Sequence, residues 1–356
     1  MVAQARIERN ILSHESVGIE PNVGVASGPR LGFGIVSSVQ GRGIVDERSP
    51  MSLGAFNLHA PVEQFYASCD AMLVVGSRLR SNETLAYKLK LPQPLYRVDV
   101  DAAANQRAYP NDLFLQADAA LTLSALADRL SGKVWIESSF ADELATARAA
   151  AERLVRDGLG PYSQLVDVLQ AAVGRDFLWV RDVTVSNSTW GNRLPRLAGP
   201  RDGVHAMGGG IGQGIQMALG AALAANASGR RRKTVCLSGD GGLMVNVGEL
   251  ATLVQEKADV VVIVMNDRGY GVIKNIQDAI YGGRRYYADL HTPDFAMLAQ
   301  SIALPHHRIT DLAALPGPLA AAIERVGPTL IEIDMTSIGP FARAFAGPPV
   351  RKDTNA

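Results

Sequence analysis

Two observations predict an α/β protein made of two Rossmann-like parallel-sheet domains. Apolar runs of strand length alternate with helical stretches over most of the chain, and a charged helical segment near the middle separates two such series. A third observation points to where function sits. Two apolar strands, Thr234 to Leu237 and Val260 to Met265, run into Gly239-Asp240-Gly241-Gly242 and Asn266-Asp267. Asn266 lies 26 positions after Asp240, room for one helix and a turn, so both polar ends are expected on one edge of a parallel sheet.

In order along the chain, residues 1–30 lack clear periodicity and read as an irregular segment. A domain is predicted over 31–138. GFGIVSSVQGRGIV is strand-like and DERSPMSLGAF reads as a loop. DAMLVVGSRL (70–79), PLYRVDVD (94–101) and DLFLQAD (112–118) read as strands, and LTLSALADRL as a helix. Residues 139–160 read as the connection, helical through ELATARAAAERLVRD and ending on Gly-Leu-Gly-Pro. A second α/β domain is predicted over 161–338, closing with the strand PTLIEIDM (328–335). The tail, 339–356, carries Pro340, Pro348 and Pro349 and reads as loosely ordered or draped on a surface.

The bulk composition excludes several classes. At 356 residues, with 47% hydrophobic and 20% charged residues, the chain suits two globular domains with sizeable cores. Thirty-five basic and 35 acidic side chains cancel, so nothing electrostatic favours nucleic acid or an anionic membrane. Cys69 and Cys236 fall in or beside apolar runs, as buried thiols of a reducing compartment do. No apolar run approaches membrane-spanning length and the N-terminus is too polar for a signal peptide, so the cytoplasm is the expected location.

Three motifs carry the chemistry. In HAMGGGIGQGIQMALGAALAAN (205–226), Gly208, Gly209 and Gly210 allow close backbone approach to a ligand. The helix that follows offers its N-terminus to a phosphate. A dinucleotide fingerprint is not met, because its third glycine would fall on Gln213 or Ile215; glycines that serve tight helix packing are the other reading. In Gly239-Asp240-Gly241-Gly242, Gly241 and Gly242 free backbone N–H groups for a diphosphate while Asp240 can hold a cation. Asn266-Asp267-Arg268-Gly269-Tyr270-Gly271 supplies more oxygen. A small hard cation prefers six oxygens, and two side chains, a backbone carbonyl, two diphosphate oxygens and a water complete that set. Each motif alone also makes an ordinary turn.

Together these residues resemble the acetolactate synthase and benzoylformate decarboxylase group of thiamine diphosphate enzymes. The family signature is Gly-Asp-Gly, about 25 to 30 residues, then paired Asn. GGGIGQGIQMALGAAL, GELATL (248–253), VQGRGIVDERSPMSLGAF and DAMLVVGSRL…LYRVDVD extend the similarity over roughly residues 31 to 335. The resemblance implies a chain that binds thiamine diphosphate and Mg²⁺ and decarboxylates or carboligates a 2-oxo acid. Asp240, Asp267 (Asn in many relatives) and the Gly269 carbonyl are the implied metal ligands. Ile211 is the implied prop for the bent cofactor and the Gly209 carbonyl the acceptor for its 4′-amino group. Gly210, Gly239, Gly241, Gly242, Asn266 and Tyr270 complete the implied cofactor site.

The resemblance also implies a glutamate on a preceding pyrimidine-binding domain that these residues do not match. Glu249 lies in the helix after the signature, and Glu8, Glu15 and Glu20 have no strand-helix framework. A split enzyme with a separate pyrimidine-domain subunit, a shortened form of a longer enzyme, and a non-catalytic thiamine diphosphate-binding subunit all remain open. A homodimer or tetramer is expected. Asn187, Ser188 and Trp190 are substrate-pocket candidates or a polar loop with a packed indole, and His205 is a possible cofactor contact. Arg284, Arg285, Tyr286 and Tyr287 are candidates for an anionic substrate; His291, His306 and His307 read as surface or loop residues. Asp99 and Asp101 end a strand where some relatives bind a nucleotide, and no role is assigned to them.

Overall fold

The structure, a computed structural model, describes residues 10–14 and 31–348. It confirms the α/β class: two compact units each contain a six-stranded, all-parallel sheet. One unit comprises the described residues up to Leu154 with Leu197–Pro200, the other Val155–Arg196 with Arg201–Gly347. The change of unit falls inside the long helix Phe140–Asp157, within the segment expected to connect the domains.

The first unit has strands β1 (Asn10–His14), β2 (Gly34–Ser37), β3 (Ser52–Gly54), β4 (Ala71–Val75), β5 (Leu95–Asp99) and β6 (Leu113–Gln116), in the order β3-β2-β1-β4-β5-β6. β1 departs from expectation. It lies within the stretch read as irregular, yet pairs with β2 on one side and β4 on the other. NILSH has two adjacent apolar residues and no alternation, so only its neighbours make it a strand. β3 likewise lies inside DERSPMSLGAF, read as a loop. Strand β2 is short because a run of turns follows it, where GFGIVSSVQGRGIV suggested extended chain. Helix Phe140–Asp157 packs closely here: a Cβ on Gly34 would sit 2.7 Å from Leu144 Cδ1. Asp99 and Asp101 are engaged locally, Asp99 accepting from the Asp101 N–H and Asp101 from the Ala103 N–H, both at 2.9 Å.

The second unit has strands β7 (Phe177–Arg181), β8 (Gly203–His205), β9 (Lys233–Gly239), β10 (Val260–Asn266), β11 (His306–Ile309) and β12 (Thr329–Asp334), in the order β11-β12-β10-β9-β7-β8. β9, β10 and β12 are buried almost throughout, as continuous apolar runs in a parallel sheet must be when helices cover both faces. Helix Gly214–Ala227 packs on β7 and β9 through Ile215, Ala218 and Ala222, all buried. The order of connection reverses between β7 and β9, and in open α/β sheets a ligand crevice forms beyond the strand ends at such a point. The C-terminal stretch, expected to be loosely ordered or draped on a surface, is held by hydrogen bonds as far as Phe345. The Tyr162 hydroxyl donates to the Gly339 carbonyl at 2.6 Å, and the Arg343 N–H donates to the Gly158 carbonyl at 3.0 Å.

Candidate functional site

The parallel register does what the 26-residue spacing predicts. Gly239 of β9 is level with Met265 of β10, so Asp240 and Asn266 leave the sheet side by side at its carboxyl edge. The chain turns sharply after each. Asp240 opens the short helix Asp240–Val245, and Arg268 adopts a left-handed backbone with φ 52°. That turn aims the Gly269 N–H at Asp240 Oδ2, 3.1 Å away.

The Asp240 and Asp267 carboxylates come within hydrogen-bonding distance of each other. Asp240 is buried at 1% exposure, and the Asp267 carboxylate fits only because residue 271 is glycine, where a Cβ would collide with Asp267 Oδ2. Burial and then the charge of Asp267 push the Asp240 carboxyl up to about 7. Burial raises Asp267 as well, with Lys274 and the hydrogen bond from Asp240 pulling it back. Other carboxylates on this edge are already satisfied. Asp334 takes Arg308 at 2.5 Å and the Thr336 and Ser337 N–H groups at 3.0 and 3.3 Å, which hold it below the ordinary carboxylate range. Among the described residues no cation forms a comparable ion pair with Asp240 or Asp267, and a bound divalent ion would supply one. Among the described residues no group of three or more His, Cys, Asp or Glu could hold a metal.

Gly241 and Gly242 lie buried in the turn after Asp240, and both need to be glycine. A Cβ on Gly241 would lie 2.6 Å from Tyr270 Cε1, and one on Gly242 would lie 2.8 Å from Asp182 Oδ2. Tyr270 thus walls the turn with its ring.

Asn266 is placed differently from Asp267. Its amide donates to Glu332 Oε1 at 2.8 Å and its Oδ1 accepts from the Arg268 N–H at 3.2 Å. It braces the turn from behind. His306, read from sequence as a surface or loop residue, sits in β11 with its Nε2 3.3 Å from Glu332 Oε2, both side chains buried.

The glycine loop stands at the same edge, at the reversal point. Met207, Gly208, Gly209, Gly210 and Ile211 are all exposed, Ile211 at 38%, and Gly208, Gly209 and Gly212 have left-handed φ of 67°, 76° and 85°. Gln213, the residue that breaks the dinucleotide fingerprint, staples the loop: its Nε2 donates to the Met207 and Gly210 carbonyls at 3.0 and 2.9 Å. The expectation of a phosphate at the following helix N-terminus needs correcting. Asp182, at 1% exposure, accepts from the Gly212 N–H through both oxygens and lies against the Gln213 and Gly214 N–H groups, so a protein carboxylate already stands at that position. Asp182 was missed from sequence, although it follows the apolar run FLWVR as Asp240 follows its own strand.

Gly212→Ala is expected to cost about 1–3 kcal/mol in stability, read as a lower thermal midpoint, because φ of 85° is strained for alanine. Its Cβ would also lie 2.7 Å from Val245 Cβ.

Of the remaining candidates, Trp190 is fully buried with its ring 5.8 Å from Trp179, an indole of the core rather than of a pocket. Asn187 is buried in the same irregular helical turn, and His205 ends β8, half-buried. Arg285 pairs with Asp278 at 2.5 Å and, with Lys274, Asp267, Gly339, Pro340 and Phe341, lines a cavity of about 360 Å³. Tyr286 and Tyr287 are exposed.

Comparison with known proteins decides the family. The thiamine pyrophosphate enzyme C-terminal TPP-binding domain matches residues 184–333, and the thiamine pyrophosphate enzyme central domain matches residues 28–126. The chain belongs to the thiamine pyrophosphate enzyme family. A probable 2-ketoarginine decarboxylase of Pseudomonas aeruginosa is 29% identical over 313 residues, covering 85% of this chain and 54% of the relative. The acetolactate synthase large subunit of Parasynechococcus marenigrum is 26% identical, covering 84% and 49%. Pyruvate oxidase of Lactiplantibacillus plantarum is 26% identical, covering 86% and 51%. The chain therefore spans about half the length of these relatives. The candidate Asp240–Asp267 pair and the glycine loop both lie within the matched TPP-binding domain. No helix among the described residues is long and apolar enough to cross a membrane.

Proposed function

We propose that this chain binds thiamine diphosphate through one Mg²⁺ ion and takes part in decarboxylating or carboligating a 2-oxo acid. The observation that carries the reading is the pair of carboxylates, Asp240 buried and Asp267 half-buried, brought together from two strand ends. Asp240, Asp267 and the Gly269 carbonyl would hold the ion, and the Gly241 and Gly242 backbone the diphosphate, where side chains are excluded. Gly239 and Asn266 set the two turns, and Tyr270 packs against Gly241. The exposed Ile211 and the Gly209 and Gly210 backbone would face the rest of the cofactor. Bound thiamine diphosphate supplies an electron sink for cleaving or forming a carbon–carbon bond next to a carbonyl.

In this reading the glutamate that works on the pyrimidine ring comes from a pyrimidine-binding domain outside these 356 residues, and the assembly is a cytoplasmic homodimer or tetramer. The decarboxylase, acetolactate synthase and pyruvate oxidase relatives support the reaction class. Titration calorimetry should show saturable binding of thiamine diphosphate that needs Mg²⁺ and is reversed by chelator. Turnover of pyruvate or benzoylformate should appear on adding a chain with a pyrimidine-binding domain. Absence of Mg²⁺-dependent binding would remove the proposal, and turnover by residues 1–356 alone would remove its second half.

A further inference from the structure

The Asp182 carboxylate touches three separate segments of the site. It caps the start of its own loop, Oδ1 accepting from the Val183 N–H at 2.7 Å. Both oxygens accept from the Gly212 N–H, at 3.1 and 3.0 Å, and the Gln213 and Gly214 N–H groups also point at the carboxylate. On the other side, Ser238 Oγ donates to Oδ2 at 3.4 Å. Gly242 packs so closely that a Cβ there would stand 2.8 Å from the same oxygen. One buried side chain therefore lies between the glycine loop and the Gly239–Gly242 turn.

We propose that Asp182 is a positioning residue that fixes the spacing between the turn gripping the diphosphate and the loop carrying Gly209 and Ile211. The inference rests on the thiamine diphosphate reading above. Neither Asp182 oxygen is free for a ligand, since backbone donors and Ser238 surround them, so the residue acts through the loop. Its carboxylate also stands against the helix start, where it opposes a phosphate, leaving the Gly241–Gly242 turn as the place for the anion.

Asp182→Asn replaces one acceptor oxygen by a donor facing N–H groups, which should loosen the loop while leaving Asp240, Asp267 and Gly269 in place. Calorimetric titration of the full chain with Mg²⁺ and either inorganic pyrophosphate or thiamine diphosphate separates the two effects. Thiamine diphosphate affinity is expected to fall about tenfold or more, with pyrophosphate affinity changing less than about twofold. Equal losses for both ligands, or no loss for either, would overturn the proposal. Gly214→Ala is the second variant: it keeps the carboxylate but adds a Cβ 2.9 Å from Asp182 Cβ, and should give the same selective loss. If Asp182→Asn does not fold, Gly214→Ala decides; if neither folds, Asp182 belongs to folding and the proposal is wrong. A wild-type chain that binds neither ligand with Mg²⁺ would instead refute the underlying cofactor reading.

Discussion

Asp240→Ala is expected to abolish Mg²⁺-dependent binding of both thiamine diphosphate and inorganic pyrophosphate, with affinity falling at least about a hundredfold, while the chain stays folded. Binding should vanish because one of the two carboxylates proposed to hold the ion is gone and Asp267 is left to hold it alone. The fold should survive because Asp240 sits past the end of β9, in the first turn of a short helix, and not in the sheet. Its loss frees the Gly269 N–H, worth about 1 kcal/mol, but it also removes one member of a buried like-charge pair, and the two changes oppose each other. Thermal unfolding reads both halves at once. At a hundredfold excess of ligand over its dissociation constant, binding stabilises the folded state by about 2.7 kcal/mol. That ligand-induced rise in melting temperature should disappear in the variant, whose unliganded midpoint should stay close to wild type. A variant that keeps the full rise would disprove the metal assignment.

The second sheet and the meeting of the Asp240 and Asp267 strand ends were legible because their signals are local. Apolar strands such as VVVIVM end on a polar residue, and parallel register then fixes which ends are neighbours. What was not legible depends on contacts distant in sequence. β1 is a strand because β2 and β4 flank it, and NILSH has no pattern of its own. Trp190 follows a polar stretch and read either as a pocket residue or as a packed indole, and only its contact with Trp179 decides for the core. The glycine loop posed the subtler problem. A helix N-terminus after three glycines attracts an anion, which is correct physics, but the anion is Asp182 from a strand 30 residues earlier. Gln213 counted only against a nucleotide site, whereas its amide is what closes the loop.

The same carboxylate pair should make the metal-free protein sensitive to pH in an unusual direction. In chelator, stability is expected to fall as pH rises from about 5 to about 8. The Asp240 carboxyl is pushed up to about 7 in the folded chain, against 3.8 ordinarily, so between those values the folded state keeps a proton that the unfolded chain has released. Raising pH then favours the unfolded chain, and the stabilisation present at low pH is lost as pH passes the folded value. Asp267→Asn should flatten this slope, because an amide adds no charge and can donate a hydrogen bond to the Asp240 carboxylate. At about pH 8 without metal the variant should therefore be more stable than wild type by about 1–3 kcal/mol, several degrees in melting temperature. Saturating Mg²⁺ should erase the difference in wild type, since the ion compensates both charges and displaces the shared proton. Its affinity for the wild-type pair should accordingly climb over the same pH interval. Metal-free melting temperatures that stay level over that range, or an Asp267→Asn variant that gains nothing at the alkaline end, would show that the two carboxylates do not confront each other as the structure has them.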